Sequence, residues 1–394
     1  MLTPASLPEL QRALASAQVD GWLLFDFHGA NPIAGGLLRL DGMVTRRIFA
    51  FIPRTGTPVA LTHAIEQGPW RRWPAEWKRE RYSSWRTLEE SLSALVRGKR
   101  VAMEYSPGDA VPYLDRVPAG VLEMVRAAGA DVVSSSALVT RFYAALSAED
   151  LAAHRRAAEI VATTGRGAIE LAGRRARDGE PITEHDLQHW IVERFEAADL
   201  EADHAPIVAA GANAADPHYE PSAERERAIT EGDILLVDLW ARESSDGGVY
   251  ADQTWMGSIG EPGARAVEVW EAVRAARDAA IDMVRVKARA GAPLRGADVD
   301  DAAREVIRRR GFGDYFTHRT GHSIDPRDLH GAGPHIDNLE TREERLLMPG
   351  VAFSIEPGVY IAGEIGMRSE VNAYMGDGEA IITPVDYQRE LLVV

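Results

Sequence analysis

The fold of the C-terminal part of this chain is indicated most clearly by DILLVDLWARESSDGGVYADQTWMGSI, residues 233–259. Two apolar runs flank a polar, glycine-rich segment, and this pattern predicts a β-hairpin. If the turn is symmetric about Ser245, Asp238 and Asp252 lie directly opposite each other, with Cβ atoms about 4.5–5.5 Å apart. Asp238 follows the apolar run 234–237, so its strand is expected to be buried. Two buried carboxylates this close need protons or cations between them.

A second hairpin repeats this arrangement further along the chain. The segments VAFSIEPGVYI (351–361) and GMRSEVNAYM (366–375) flank a short turn. If the turn centres on Gly363, Glu356 and Glu370 are directly opposed. Two acidic pairs in matching halves of one region predict a metal centre.

The segment THRTGHSID (317–325) supplies a nitrogen donor for this centre. His322 follows Gly321, where close backbone approach costs little. Four carboxylates and one imidazole suit two divalent ions, with Mn²⁺ the first choice and Co²⁺ or Zn²⁺ as alternatives. Two ions about 3.5–4 Å apart can bridge a hydroxide nucleophile and polarise a carbonyl. The residues therefore predict a two-metal hydrolase.

Outward from these hairpins, the chain divides into two predicted domains. Residues 1–146 are predicted to form an α/β domain, because short apolar strand-like runs alternate with helix-like segments. Residues 147–394 are predicted to begin with a helix capped by Ser147 and to continue as helix, helix, strands, then helix, helix, strands. The fold class predicted for the whole chain is α+β, with a possible twofold repeat of architecture in the second domain.

Composition excludes several function classes. The formal net charge of −16 argues against a general nucleic-acid binder. The absence of cysteine excludes disulfides, thiolate metal sites and a cysteine nucleophile. No run approaches the roughly 18 apolar residues of a membrane span, and the first residues do not resemble a signal peptide, so a cytoplasmic location without membrane partners is expected.

The segment Trp70–Arg86 has an unusual composition for a soluble α/β domain. It holds four of the nine tryptophans together with several basic residues. A basic aromatic segment can bind nucleic acid or a membrane. The alternative, which we favour, is a surface helix or lid whose rings pack on the domain body or on a partner subunit.

The ordered motifs IVAAGANAADPHY, VDLW…YADQT, TGHSI, SIEPGVY and GMRSE resemble those of the pita-bread metallopeptidases. This family includes methionine aminopeptidase, aminopeptidase P, prolidase and the metal-free creatinase. The resemblance covers about residues 150–394 and implies a pseudo-twofold pita-bread catalytic domain. The N-terminal part is similar to the creatinase/prolidase N-terminal domain, which in such relatives helps to form a dimer.

The resemblance also implies a role for individual residues. The metal ligands it implies are Asp238, Asp252, His322, Glu356 and Glu370. His218 and His330 match histidines that contact substrate or stabilise the intermediate, and Glu356 doubles as the proton shuttle. Arg342 matches an arginine that holds the substrate carboxylate in prolidases. Thr254 is expected to support the second aspartate, Asp252, and Arg368 to orient an acidic ligand. Of His204, His318 and His335, at most one is expected to contact substrate.

Several positions depart from the family pattern. Trp240 replaces a small residue two positions after the first aspartate, the loop between the aspartates is longer than usual, and Trp255 replaces a common arginine. An insertion around Pro326–Asp328 precedes His330, and Gly331 stands where a glutamate is common. No ligand is lost, but the shape of the substrate pocket is expected to differ.

Together these features predict a homodimeric Xaa-Pro dipeptidase that cleaves small peptides with proline at position two. Aminopeptidase P, acting on longer Xaa-Pro peptides, is the first alternative. A metal-free creatinase-like hydrolase and a non-catalytic peptide-binding relative are two further hypotheses, and the intact ligand set argues against the creatinase-like one.

Overall fold

The computed structural model describes residues 2–394, which form two compact units. The first unit ends at Ala144, and the second spans Ala145–Val394. No helix in this described range combines the length and the apolarity needed to cross a membrane.

The first unit is a mixed six-stranded sheet with helices. Its strands are β1 (Gly21–Asp26), β2 (Ile48–Pro53), β3 (Val59–His63), β4 (Lys78–Tyr82), β5 (Arg100–Met103) and β6 (Asp131–Ser134). Their order in the sheet is β4-β3-β2-β1-β5-β6. Its helices are α1 (Leu7–Ser16), α2 (Pro32–Leu38), α3 (Trp85–Val96), α4 (Ala119–Ala127) and α5 (Ser136–Val139). The parallel pairs β1–β5 and β5–β6 match the α/β character expected from the sequence.

The Trp70–Arg86 stretch forms neither a long surface helix nor a lid. Trp70, Trp73 and Trp77 are buried and stack edge to face, with ring centroids 5.3 and 4.9 Å apart. The basic residues that follow belong to β4, an exposed strand at the edge of the sheet, where charge discourages pairing with other chains. The interpretation that the rings pack on the domain body is confirmed for these three tryptophans.

The second unit combines four helices with three small sheets. The helices are α6 (Ala148–Arg177), α7 (Glu184–Ala197), α8 (Ala264–Ala290) and α9 (Gly296–Arg309). The first sheet contains β7 (Leu200–Glu201), β8 (Ile207–Ala210), β9 (Ile234–Glu243), β10 (Ala251–Ser258) and β17 (Leu392–Val393). The second contains β11 (Ser323–Ile324), β12 (Ala352–Ile355), β15 (Val371–Met375) and β16 (Ala380–Thr383), while β13 (Gly358–Ile361) pairs with β14 (Ile365–Arg368).

Helix α6 begins where the sequence predicts. Ser147 caps α6 by accepting a hydrogen bond from the Asp150 N–H, and the Asp150 side chain returns one to the Ser147 N–H, which completes a capping box. Thr183 caps α7 by accepting a hydrogen bond from the Asp186 N–H. These caps place the buried faces of α6 and α7 against the apolar side of β9 and β10.

The predicted hairpin of β9 and β10 is present, but its predicted register is wrong. Asp252 lies opposite Trp240, and Asp238 lies opposite Thr254, so the turn is centred on Asp246 rather than Ser245. The two glycines that follow Asp246 explain the shift. Gly247 takes a positive φ of 95°, and a Cβ on Gly248 would lie 2.0 Å from the Glu243 carbonyl oxygen. Because the shift is one residue at the centre, both aspartates keep the same face.

The second acidic hairpin has the predicted register. Gly358 pairs with Arg368 in the β13–β14 ladder, and Ile355 pairs with Val371 in the β12–β15 ladder. Both pairs are symmetric about Gly363, which has a positive φ of 73°. Glu356 and Glu370 occupy matching positions between the two ladders, as predicted.

Candidate metal centre

A cavity of about 280 Å³ in the second unit brings together all five predicted metal ligands. Its lining comprises Asp238, Asp252, His322, Glu356 and Glu370, the predicted histidines His218 and His330, and also Ile207, Pro217, Trp240, His318, Arg319, Leu329, Glu340 and Arg368. Strands β9, β10, β12, β14 and β15 and the loops beside them carry most of these side chains. The four carboxylates of the two acidic hairpins therefore face one space.

Thr254 connects the two hairpins through its hydroxyl group. Thr254 Oγ1 lies 2.9 Å from Asp238 Oδ1 and 2.9 Å from Glu370 Oε2. The expectation that Thr254 supports Asp252 is therefore wrong, because the shifted register places it opposite Asp238. Asp252 is held through its main chain, which exchanges two hydrogen bonds with the Asn372 side chain.

Arg368 orients acidic residues, as expected. Its guanidinium donates to Asp238 Oδ2 and, at 2.9 Å, to Thr254 Oγ1. A third contact of 3.2 Å reaches the Tyr360 hydroxyl, and Glu356 Oε2 lies 4.0 Å away. One buried cation thus fixes residues from both hairpins.

His322 reaches the carboxylates from a tightly packed loop. A Cβ on Gly321 would lie 2.0 Å from the Ser354 carbonyl oxygen, so glycine is required before His322. His322 Nε2 lies 3.2 Å from Asp252 Oδ2 and 3.5 Å from Glu356 Oε1. Ser354 Oγ accepts from the His322 N–H and donates to Glu356 Oε1, both at 2.9 Å. The histidine and this glutamate are therefore positioned by one serine.

Two carboxylates of the cavity are not fully satisfied by the protein around them. Asp252 Oδ1 and Glu370 Oε1 are buried and have no hydrogen-bond partner within residues 2–394. Burial raises the pKa of Asp252 well above its usual value, and the charges of Asp238 and Glu356 raise it further. Burial and the Asp252 charge do the same to the pKa of Glu370.

These residues fit divalent metal ions. Ligand atoms of Asp252, His322 and Glu370 all lie within 4.8 Å of one another. Cations would satisfy the two unpartnered oxygens and remove the repulsion that raises the carboxylate pKa values. Hard and borderline divalent ions accept this mixture of oxygen and nitrogen donors.

The predicted histidines lie around the ligand cluster. The His330 ring centroid is 4.3 Å from that of His322, and this neighbouring ring and partial burial lower the pKa of His330. The loop insertion before His330 is organised by buried Asp325, which accepts hydrogen bonds from the N–H groups of Arg327, Asp328 and Ala332. The insertion therefore carries His330 to the cavity instead of displacing it.

His218 is positioned by a buried acid at the start of α7. Glu184 accepts hydrogen bonds from the Ala210 N–H at 2.7 Å and from the Tyr219 hydroxyl at 2.8 Å. It also accepts from the Arg227 N–H at 3.0 Å. The segment between β8 and β9 is therefore fixed by hydrogen bonds to one carboxylate. His218 lies on this segment and lines the cavity.

Arg342 is not brought to the cavity. Its side chain is 77% exposed, and its Nε donates to Glu344 Oε1. The neighbouring residues explain this orientation, because Glu343 and Arg345 form a buried ion pair of 2.5 Å and Arg345 also donates to two loop carbonyls. With these two side chains turned inward, Arg342 and Glu344 face solvent.

The lining includes residues to which the sequence assigned no definite role. Arg319 and Trp240 both line the cavity, and so does His318, the only one of His204, His318 and His335 that does. Burial lowers the pKa of His318 to about 4, and its Nε2 lies 2.9 Å from the Tyr360 hydroxyl. His318 and Arg319 directly precede the TGH motif. Their closeness in sequence to His322 could therefore have identified them as residues that line the cavity.

Comparison with known proteins agrees with this geometry. The sequence profile of metallopeptidase family M24 matches residues 152–377. The chain is 35% identical over 189 residues to the probable dipeptidase PepE of Mycobacterium tuberculosis, covering 48% of this chain and 46% of that protein. It is 34% identical over 164 residues to the Xaa-Pro dipeptidase of Lactobacillus delbrueckii subsp. lactis, covering 42% and 40%. The chain thus spans about half the length of these relatives or less.

A solved structure resembles the chain over nearly its whole length. A dipeptidase from Pyrococcus horikoshii OT3 has a TM-score of 0.66 and 26% identity, covering 98% of this chain and 100% of that one. The pita-bread fold with an additional N-terminal domain, expected from the sequence motifs, is therefore confirmed.

Proposed function

Because the chain belongs to metallopeptidase family M24, we propose that it is a proline-specific exopeptidase that hydrolyses Xaa-Pro dipeptides with two divalent metal ions. The names of the relatives, a probable dipeptidase and an Xaa-Pro dipeptidase, support the dipeptide as substrate. Mn²⁺ is the metal that we propose, with Co²⁺ and Zn²⁺ as alternatives.

One observation carries the metal part of the proposal. The buried oxygens of Asp252 and Glu370 face the cavity with no partner in the described part of the chain. An unpartnered buried carboxylate oxygen is costly, and a cation removes that cost. The residues that would hold the ions are Asp238, Asp252, His322, Glu356 and Glu370. When bound, the ions would supply Lewis-acid activation of water and of the scissile carbonyl group.

The chain itself supplies a group that can move a proton. Burial would raise the pKa of Glu356, but His322 and Arg368 outweigh it and keep the pKa below its usual value. A carboxylate that is ionised at neutral pH can accept a proton and deliver it to the leaving nitrogen. His218 and His330 line the same cavity and are assigned to contacts with the substrate.

The cavity also contains a cation for the far end of a dipeptide. Arg319 lines it, whereas Arg342 is exposed and pairs with Glu344. We therefore assign the substrate carboxylate to Arg319 instead of Arg342. A guanidinium that binds a carboxylate directly after proline would favour dipeptides over longer peptides.

The substrate assignment is tested by comparing Ala-Pro with Ala-Pro-Ala in the presence of Mn²⁺, Co²⁺ or Zn²⁺. We expect a higher kcat/KM for the dipeptide. The Arg319→Ala variant should raise KM for the dipeptide, whereas Arg342→Ala should leave kcat/KM unchanged. Preference for the tripeptide would instead identify an aminopeptidase P.

The metal assignment is tested by measuring metal content in protein purified without chelator. We expect about two ions per chain. His185, Asp186 and His189 form an exposed group of potential ligands on α7, so His185→Ala serves as the control for a third, adventitious ion. Absence of any divalent ion, with no gain of activity on adding Mn²⁺, would support a metal-free hydrolase or a peptide-binding relative.

A homodimer and a cytoplasmic location complete the proposal. The dimer is measured by light scattering on the full chain, and a monomeric mass would contradict it. Location is tested by fractionating cells that produce the protein.

A further inference from the structure

We propose that Trp240 is the specificity-determining residue of the cavity, and that its indole limits the N-terminal Xaa residue of the substrate to small side chains. This inference rests on the proposed Xaa-Pro dipeptidase function. Its starting point is the register of β9 and β10, which places Trp240 next to the metal centre.

Trp240 occupies the position directly across the ladder from Asp252. Opposed residues on antiparallel strands project to the same face, with Cβ atoms about 4.5–5.5 Å apart. Asp238 lies two residues before Trp240 and shares that face. The indole is therefore the side-chain neighbour of two predicted ligands, and it lines the same cavity as they do.

The Trp240 indole is held in place by a hydrogen bond and by packing. Trp240 Nε1 donates a 2.8 Å hydrogen bond to Asp203 Oδ1. The body of the ring packs against an apolar cluster that contains Tyr250 and Leu329. A half-buried indole fixed by a hydrogen bond and by packing forms a rigid wall.

The apolar part of the cavity lies beside this wall. Ile207, Pro217 and Leu329 join Trp240 in the lining, and the whole cavity measures about 280 Å³. This is at the low end of small-molecule sites, which commonly range over about 300–1,000 Å³. A side chain bound there competes for space with the indole.

Charge indicates which end of the substrate meets Trp240. The hydrogen bonds of Asp203 with Trp240 and His204 outweigh burial and lower the pKa of Asp203, so it stays ionised. This carboxylate lies 2.8 Å from Trp240 Nε1, and its negative charge favours the free ammonium group at the Trp240 end of the cavity. Arg319, a lining cation outside the contacts of Arg368 with the acidic residues, attracts the carboxylate of proline. A dipeptide with this polarity directs the Xaa side chain to Trp240.

The experiment measures kcat/KM for Ala-Pro, Leu-Pro and Phe-Pro with the wild-type protein and with Trp240→Ala. We expect the wild type to prefer Ala-Pro. We expect Trp240→Ala to raise the Phe-Pro to Ala-Pro ratio at least about tenfold, because filling or emptying an apolar pocket changes discrimination by this order. The change should appear mainly as a lower KM for Phe-Pro.

Two variants separate steric bulk from other effects. Trp240→Phe keeps a ring but loses the bond to Asp203, and it should retain most of the preference for Ala-Pro. Trp190→Ala removes another partly buried tryptophan, on α7 and outside the cavity lining, and should leave the ratio unchanged. An unchanged ratio in Trp240→Ala would overturn the inference alone. No turnover of any Xaa-Pro dipeptide by the wild type would overturn the proposed function together with it.

Discussion

The two units each bury acidic groups, but they surround them differently. In the first unit, Glu104 is fully buried and accepts hydrogen bonds from Trp22 Nε1 at 2.5 Å, Asn31 Nδ2 at 2.9 Å and Ser135 Oγ at 3.2 Å. In the second unit, Asp252 and Glu370 each leave one buried oxygen without a partner among residues 2–394. Both environments raise carboxylate pKa values, that of Glu104 to about 7.

The difference separates a structural acid from the carboxylates that we propose as metal ligands. Donors around Glu104 satisfy both of its oxygens, so it needs nothing further. The carboxylates of the second unit face one another across a cavity and lack enough donors. Burial and a raised pKa alone do not identify a metal ligand. For Asp252 and Glu370, the oxygen without a partner is the additional observation that supports metal binding.

The largest expected effect comes from removing a ligand. Glu370→Ala should reduce hydrolysis to background and lower the metal content, because Glu370 is one of the residues assigned to the ions. Unfolding of the metal-free variant should occur at the same temperature as the metal-free wild type or higher, since a repelled buried carboxylate is lost. Glu364→Ala, an exposed glutamate in the β13–β14 turn, is the control. Full activity in Glu370→Ala would refute its assigned role.

The next effect concerns Glu104 and pH. Its folded-state pKa of about 7 lies above the ordinary 4.5, so its contribution to stability is present below pH 4.5 and is lost as pH rises through 7. The loss corresponds to roughly 3 kcal/mol. Glu104→Gln stays neutral, so its unfolding free energy relative to wild type should rise by that order between pH 4.5 and 7.5, measured by denaturant unfolding.

Two observations keep this prediction specific to Glu104. Glu123→Gln, an exposed glutamate on α4, should leave the pH profile of unfolding unchanged. The metal content of Glu104→Gln should equal that of the wild type. A pH-independent difference from wild type would contradict the prediction.

A smaller effect is expected at Thr254, which contacts Asp238 and Glu370 without being an assigned ligand. Thr254→Val should weaken metal binding by roughly 10–100-fold, as is typical for groups that hold metal ligands in place. Competition with a chelating dye measures this affinity directly. Thr254→Ser keeps the hydroxyl group and should recover most of the affinity, and equal losses in both variants would exclude the hydroxyl as the cause.

The smallest effect should follow from giving Glu104 one donor fewer. Ser135→Ala removes the 3.2 Å bond to Glu104 Oε1 and should lower the unfolding free energy by about 1 kcal/mol. The metal affinity should not change. If Ser135→Ala bound metal, that result would contradict the distinction between the two acidic environments.

Much of the site could be predicted from the sequence because its parts are local. Alternating strands, a central glycine at Gly363 and the TGH motif identify which carboxylates and which imidazole share a face. Helix caps at Ser147 and Thr183 are equally local, and both are present.

The remaining features depend on packing across the chain. The register of β9 and β10 depends on how Gly248 packs against the Glu243 carbonyl, which the turn composition alone does not indicate. The exposure of Arg342 follows from the inward ion pair of Glu343 and Arg345. In a segment of alternating acids and bases, the sequence does not reveal which pair turns inward.

The Asp246-centred turn has a consequence for how this hairpin can diverge. When the pairing of β9 and β10 slips by two residues, each residue gains a new cross-strand partner, and every side chain stays on its own face of the sheet. Such a slip would exchange the side chain opposite Asp252 while both aspartates still face the cavity. A slip of one residue would instead turn Asp252 to the other face of the sheet. Slips in even steps could thus change the lining of the cavity without turning either aspartate away from it.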